Sequence, residues 1–145
     1  MSDDRRDTST GPLSDAIGQA GVTDEGTKVF VLADDPDTWD APAVVMLKMP
    51  PGYRLFRHAH ICHRFEVIVT GTLEVNGEIL GPGAVMTARP GEMYGPHIAG
   101  AEGCTTAEVF GAHEGVYRII AEGSSGIREY DFRKGETPED YQPLT

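Results

Sequence analysis

No apolar run in this chain survives for long, because a glycine, a proline or a charged residue closes each one after a few residues. Eighteen glycines and ten prolines in 145 residues suit short strands joined by tight turns better than long helices. From Lys28 onward the runs read as strands: Val29–Leu32, Val44–Met49, Tyr53–Phe56, Phe65–Val69, Thr72–Val75, Glu78–Leu80, Ala84–Ala88, Cys104–Phe110 and Val116–Ile120. Asn76-Gly77 between two of them is a strong hairpin signal, since both central residues of a type I′ turn need positive φ. This spacing predicts a single all-β sandwich or barrel over residues 27–121. Residues 1–26 read as a polar N-terminal arm, partly disordered, with at most a turn or two of helix after Pro12. Residues 122–145 read as a polar C-terminal extension in which Tyr130 and Phe132 dock and the segment from Pro138 trails off.

Charge narrows the partners. Twenty-three acidic against twelve basic residues give a net charge of −11, which argues against nucleic acid and anionic membranes. Most of the excess lies in the two flanks, whereas the central segment holds all five histidines. No apolar stretch approaches the length of a membrane span, and the charged start lacks the features of a signal peptide. With two cysteines, Cys62 and Cys104, a reduced, cytoplasmic chain is expected, both thiols serving as small core residues.

The histidines fall into a pattern with chemical content. In Gly52-Tyr-Arg-Leu-Phe-Arg-His58-Ala-His60-Ile-Cys-His63-Arg-Phe-Glu66, His58 and His60 are two apart. On an extended strand they share a face and can reach one ion. A third donor after a short turn would complete a facial set, and neutral imidazole suits zinc, iron, copper or nickel. A second cluster, Arg89-Pro-Gly-Glu-Met-Tyr94-Gly-Pro-His97, follows one hairpin later. His113, in Gly-Ala-His-Glu-Gly, reads as a solvated turn.

These two clusters resemble the paired motifs of the cupins. Gly52, His58, His60 and Gly71 match the first motif, and Gly83 and Gly91 match the second. The resemblance spans about Val44 to Ile120 and implies a single double-stranded β-helix (jelly-roll) barrel around a metal centre. Two positions depart from the pattern. The first motif's glutamate falls on Arg64, which cannot be a ligand, with His63 and Glu66 as the nearest substitutes. The second motif's histidine falls on Tyr94, three residues before His97. The ligand set implied is His58, His60, His63 and His97, with a bulge at Ile61-Cys62 needed to turn His63 inward and Glu66 open as its replacement.

The resemblance also implies a reaction. A divalent ion held by neutral imidazoles keeps its full charge and is a strong Lewis acid toward a β-dicarbonyl. Glu66 is the candidate base and Tyr94 the candidate proton donor. Arg54, Arg57, Arg64 and Arg89 are expected on the barrel rim, countering acidic neighbours, with one of them available to orient an enolate or phenolate. Within the cupins, the chain is most similar in style to the aromatic polyketide cyclases of actinobacteria, which implies a β-polyketone substrate, intramolecular aldol closure and dehydration. Zinc is then favoured over iron. The alternatives are a β-diketone-cleaving iron dioxygenase and a non-catalytic zinc-binding sensor. A homodimer joined through the edge at Val29–Leu32 is expected.

Overall fold

A computed structural model describes the backbone of residues 19–24 and residues 27–143 in full. Eleven strands and one short helix are present among them: β1 (Gln19–Asp24), β2 (Thr27–Val31), β3 (Ala43–Met49), β4 (Arg54–Leu55), β5 (His58–His60) and β6 (Arg64–Val75). They continue with β7 (Glu78–Leu80), β8 (Val85–Ala88), β9 (His97–Phe110), α1 (His113–Tyr117), β10 (Arg118–Gly123) and β11 (Gly126–Asp131), and end in a 3-10 turn, Phe132–Lys134. The weak helical turn expected after Pro12 lies largely outside the described residues, and Gln19–Asp24 is a strand.

All pairing is antiparallel, and the strands form two sheets. The larger runs β1-β2-β3-β9-β6-β7, with β4 also pairing β9 and β8 pairing β6; the smaller runs β11-β10-β5. Alternation explains the layering. Along β3 the odd positions Ala43, Val45, Leu47 and Met49 are buried while those between them face out. Val45, Leu47 and Met49 share one apolar core with Ile119, Ala121 and Tyr130 of the smaller sheet. Asn76 and Gly77 both have positive φ, at 53° and 81°, between the paired residues Val75 and Glu78, as the type I′ expectation requires. Gly71 also has positive φ and sits at an irregularity of β6. A Cβ there would lie 2.1 Å from the Gly103 carbonyl oxygen, so the bend in this long strand depends on glycine.

Both flanks differ from their expected form. The smaller sheet takes in β11, so strand pairing continues to Asp131. Beyond it Pro138 is buried, Tyr141 packs edge-on against Phe56, and the Gln142 carbonyl accepts a hydrogen bond from the Tyr53 hydroxyl. The segment expected to trail off is therefore docked through residue 142; apolar contact at Phe56 outweighs its polar composition. At the other end β1 pairs with β2, so Val29–Leu32 is not a sheet edge.

Candidate active site

The inward faces of β5, β6 and β9 and the Tyr94 loop converge on one polar cluster inside the apolar barrel. β5 is only three residues long, and all three are buried. Its pairing with β10 (Ile119 opposite His60, Ala121 opposite His58) fixes both imidazoles on the inside. Tyr94 lies beside His58, each backbone N–H donating to the other's carbonyl at 2.9 Å. Arg64 and Glu66 alternate inward on β6, and Glu108 is the cross-strand partner of Glu66 on β9.

Hydrogen bonds set the protonation of the histidines. His58 Nδ1 donates to the Phe56 carbonyl at 2.7 Å, and His60 Nδ1 donates to the Gly115 carbonyl at 2.6 Å. Each Nε2 therefore keeps its lone pair. Burial pushes His58 down to about 4, and burial with the neighbouring His58 holds His60 well below its ordinary value, so both rings are neutral near pH 7. The Tyr94 hydroxyl, kept protonated by burial, donates to His58 Nε2 at 3.1 Å. His97, the first residue of β9, is buried with its ring 5.5 Å from that of Tyr94, and its Nδ1 has no hydrogen-bond partner among the described residues.

The charged centre is Arg64. Only 3 % exposed, it donates from Nη1 to Glu66 Oε1 at 3.1 Å and lies 3.4 Å from Glu108 Oε2, while its guanidinium carbon sits 3.8 Å over the Tyr94 ring. One cation is thus shared by two buried carboxylates. Burial, then the negative charge of Glu66, pushes Glu108 up to about 8.

The cluster opens on a cavity of about 350 Å³, at the small end for small-molecule sites. Val29, Val45, Leu47, Leu55, Phe56 and Phe110 make it apolar, while His58, His60 and Glu108 supply its buried polar groups. Phe132, Arg133, Thr137 and Tyr141 of the C-terminal segment close its outer side.

Several site expectations need correction. His63 is exposed, because β6 begins at Arg64 with Arg64 and Glu66 inward, and opposite parity puts His63 outside. The Ile61-Cys62 segment is a bend that does not reverse this. Glu66 is fully buried behind Arg64, and Glu108 lines the cavity in its stead. Glu108 was missed, although alternation in Thr106-x-Glu108-x-Phe110 marks it as inward. Arg64 is in the interior and not on the rim; Arg54, Arg57 and Arg89 are exposed. His113 is buried, its ring stacked on Trp39 at 4.3 Å, and is no solvated turn.

The four-imidazole metal set does not assemble. Among the described residues no three His, Cys, Asp or Glu side chains come together in a way that could hold an ion. The nearby carboxylates Glu66 and Glu108 are both engaged by Arg64, at 3.1 and 3.4 Å, and so are not free to take up an ion. The residues present do not fit the ion.

No family model and no curated protein matches this chain. Among solved structures the chain is similar to an RmlC-like cupin protein from Ralstonia eutropha, at 15 % identity over 85 % of each chain with a TM-score of 0.51. It is also similar to an acetylacetone dioxygenase from Acinetobacter johnsonii, at 16 % identity over 77 % of this chain and 75 % of that one, TM-score 0.50. The polyketide cyclase RemF from Streptomyces resistomycificus aligns at 23 % identity over 62 % of this chain and 67 % of its own, TM-score 0.47. The fold is that of the cupins.

Proposed function

We propose that this chain, a cupin by fold, is an enzyme that moves protons on enolisable β-dicarbonyl substrates, of the kind an aromatic polyketide cyclase folds and closes. One observation carries the reading. Glu108 reaches an apolar cavity beside two neutral imidazoles, and Arg64 backs it from behind. An apolar wall suits a poly-β-ketone chain, whose methylene groups are acidic because each lies between two carbonyls.

Ionised Glu108 takes one methylene proton, and the enolate carbon then attacks a second carbonyl of the same chain, forming a carbon–carbon bond. The alkoxide produced takes the proton back from Glu108, which restores the carboxylate. A group that must both accept and return a proton works best with a pKa near the working pH, and Glu108 at about 8 meets that need. Arg64 acts as a positioning residue, holding the carboxylate toward the cavity. His60, its Nε2 unprotonated, can accept a hydrogen bond from an enol hydroxyl. Water loss from the cyclised alcohol completes aromatisation.

The test is turnover of a short β-polyketone by the full chain under nitrogen and in air. Cyclised product under both is expected, and Glu108→Gln should lower kcat by about 10²–10⁴. Cleaved products formed only in air would replace the cyclase with the β-diketone-cleaving dioxygenase.

A further inference from the structure

The barrel interior already contains a cation. We infer that Arg64 stands where a metal ion would, and that the cavity binds a β-dicarbonyl enol or a phenol through its hydroxyl, without any metal. This inference rests on the proposed acid–base reading of the cavity and adds to it the ligand's chemical form and the absence of an ion from its binding.

Three features carry it. Glu66 and Glu108 face each other across β6 and β9 and both bind the same guanidinium, at 3.1 and 3.4 Å. Removing the guanidinium would leave two carboxylates opposed in the core, so Arg64 is held there and an ion would have to enter beside it. Next, the Tyr94 phenol is already held on the Arg64 side of the cluster. Arg64 covers one face at 3.8 Å, while the hydroxyl is committed to His58 at 3.1 Å. Finally, the groups left for a ligand are acceptors. His60 spends its N–H on the Gly115 carbonyl and presents a lone pair, and the Glu108 carboxyl adds an accepting oxygen to the same cavity. Acceptors facing an apolar cavity select a ligand that donates, and an enol or phenol hydroxyl on an otherwise apolar body does so.

The experiment uses the full chain, dialysed against a chelator, with its metal content measured and pentane-2,4-dione titrated in with and without added Zn²⁺, Fe²⁺ or Mn²⁺. We expect substoichiometric metal before and after ion addition, and dione binding that the chelator does not change. Arg64→Gln keeps a polar side chain and removes the charge, and should tighten Zn²⁺ binding by at least about tenfold. One tightly held ion per wild-type chain, or dione binding that chelation abolishes, overturns the inference. So does an Arg64→Gln chain with unchanged ion affinity; should that variant not fold, the wild-type arms decide alone. Metal-free dione binding without turnover of any β-polyketone would count against the proposed enzyme and leave this inference standing.

Discussion

Glu108 and His58 pull the pH dependence of stability in opposite directions. Glu108 sits at about 8 in the folded protein against 4.5 ordinarily, so its contribution is full below pH 4.5 and is lost as pH rises through about 8. His58 is held at about 4 against 6.5, so its contribution is full above pH 6.5 and is lost as pH falls through about 4. Stability should therefore peak near pH 6 and fall on both sides. Glu108→Gln should flatten the alkaline side, by several degrees of Tm near pH 9, and should leave the His58 slope unopposed between about pH 4.5 and 6.5. Thermal melts from pH 4 to 9 measure this; an alkaline slope unaltered in the variant would rule out Glu108 as its source. His58 and His60 were legible because spacing by two on a strand needs no knowledge of the rest of the chain. Glu108 was hidden. Its role depends on a cross-strand partner, Glu66, and on an arginine in a place where the motif leads one to look for a carboxylate.

Short elements hold this site in place, and they were the hardest to read. α1 has five residues, and its Gly115 gives its carbonyl to His60 while packing directly on Cys62. A Cβ at Gly115 would meet Cys62 Sγ at 2.2 Å. Gly115→Ala should thus destabilise the chain by about 1–3 kcal/mol and weaken dione binding by displacing His60, with partial rescue by Cys62→Ala. Equal dione affinity in Gly115→Ala and wild type would detach this turn from the site. From the sequence, Gly-Ala-His-Glu-Gly looks like a solvated turn, because the apolar contact that buries His113 comes from distant Trp39. The C-terminal segment misled for the same reason. Phe132, Thr137 and Tyr141 form part of the cavity wall despite charged neighbours. A chain ending at Glu136 should keep its fold and bind pentane-2,4-dione more weakly, which calorimetry on the shortened protein can check. The strands themselves were legible, since alternation and glycine punctuation are local signals; β6 proved longer than expected because Gly71 bends the strand without ending it.

At the scale of the whole molecule, an acidic chain can meet a second copy only where its charge is thin. The outer face of the larger sheet is such a place. Its register aligns Phe65, Val109, Val44 and Phe30 in one cross-strand row and Val85, Val67, Ala107, Met46 and Lys28 in the next, with no acidic residue in either. Phe65, Val85 and Val109 are 55 %, 57 % and 41 % exposed. A contiguous apolar sheet face of this kind is unusual on a monomer, and the net charge of −11 argues against contact through the remaining surface. β1 covers the β2 edge, and we propose that the homodimer expected from the sequence forms instead through this face, by stacking of two sheets. Both cavities stay accessible in that arrangement, since they lie on the inward side of the same strands. Sedimentation at micromolar concentration should give a dimer for the full chain and a monomer for Val109→Asp, which places like charges opposite each other across the interface. Because Val109 points away from the core, the variant should melt within a few degrees of the wild-type monomer. A wild-type chain that sediments as a monomer, or a Val109→Asp chain that remains dimeric, would remove this face from consideration.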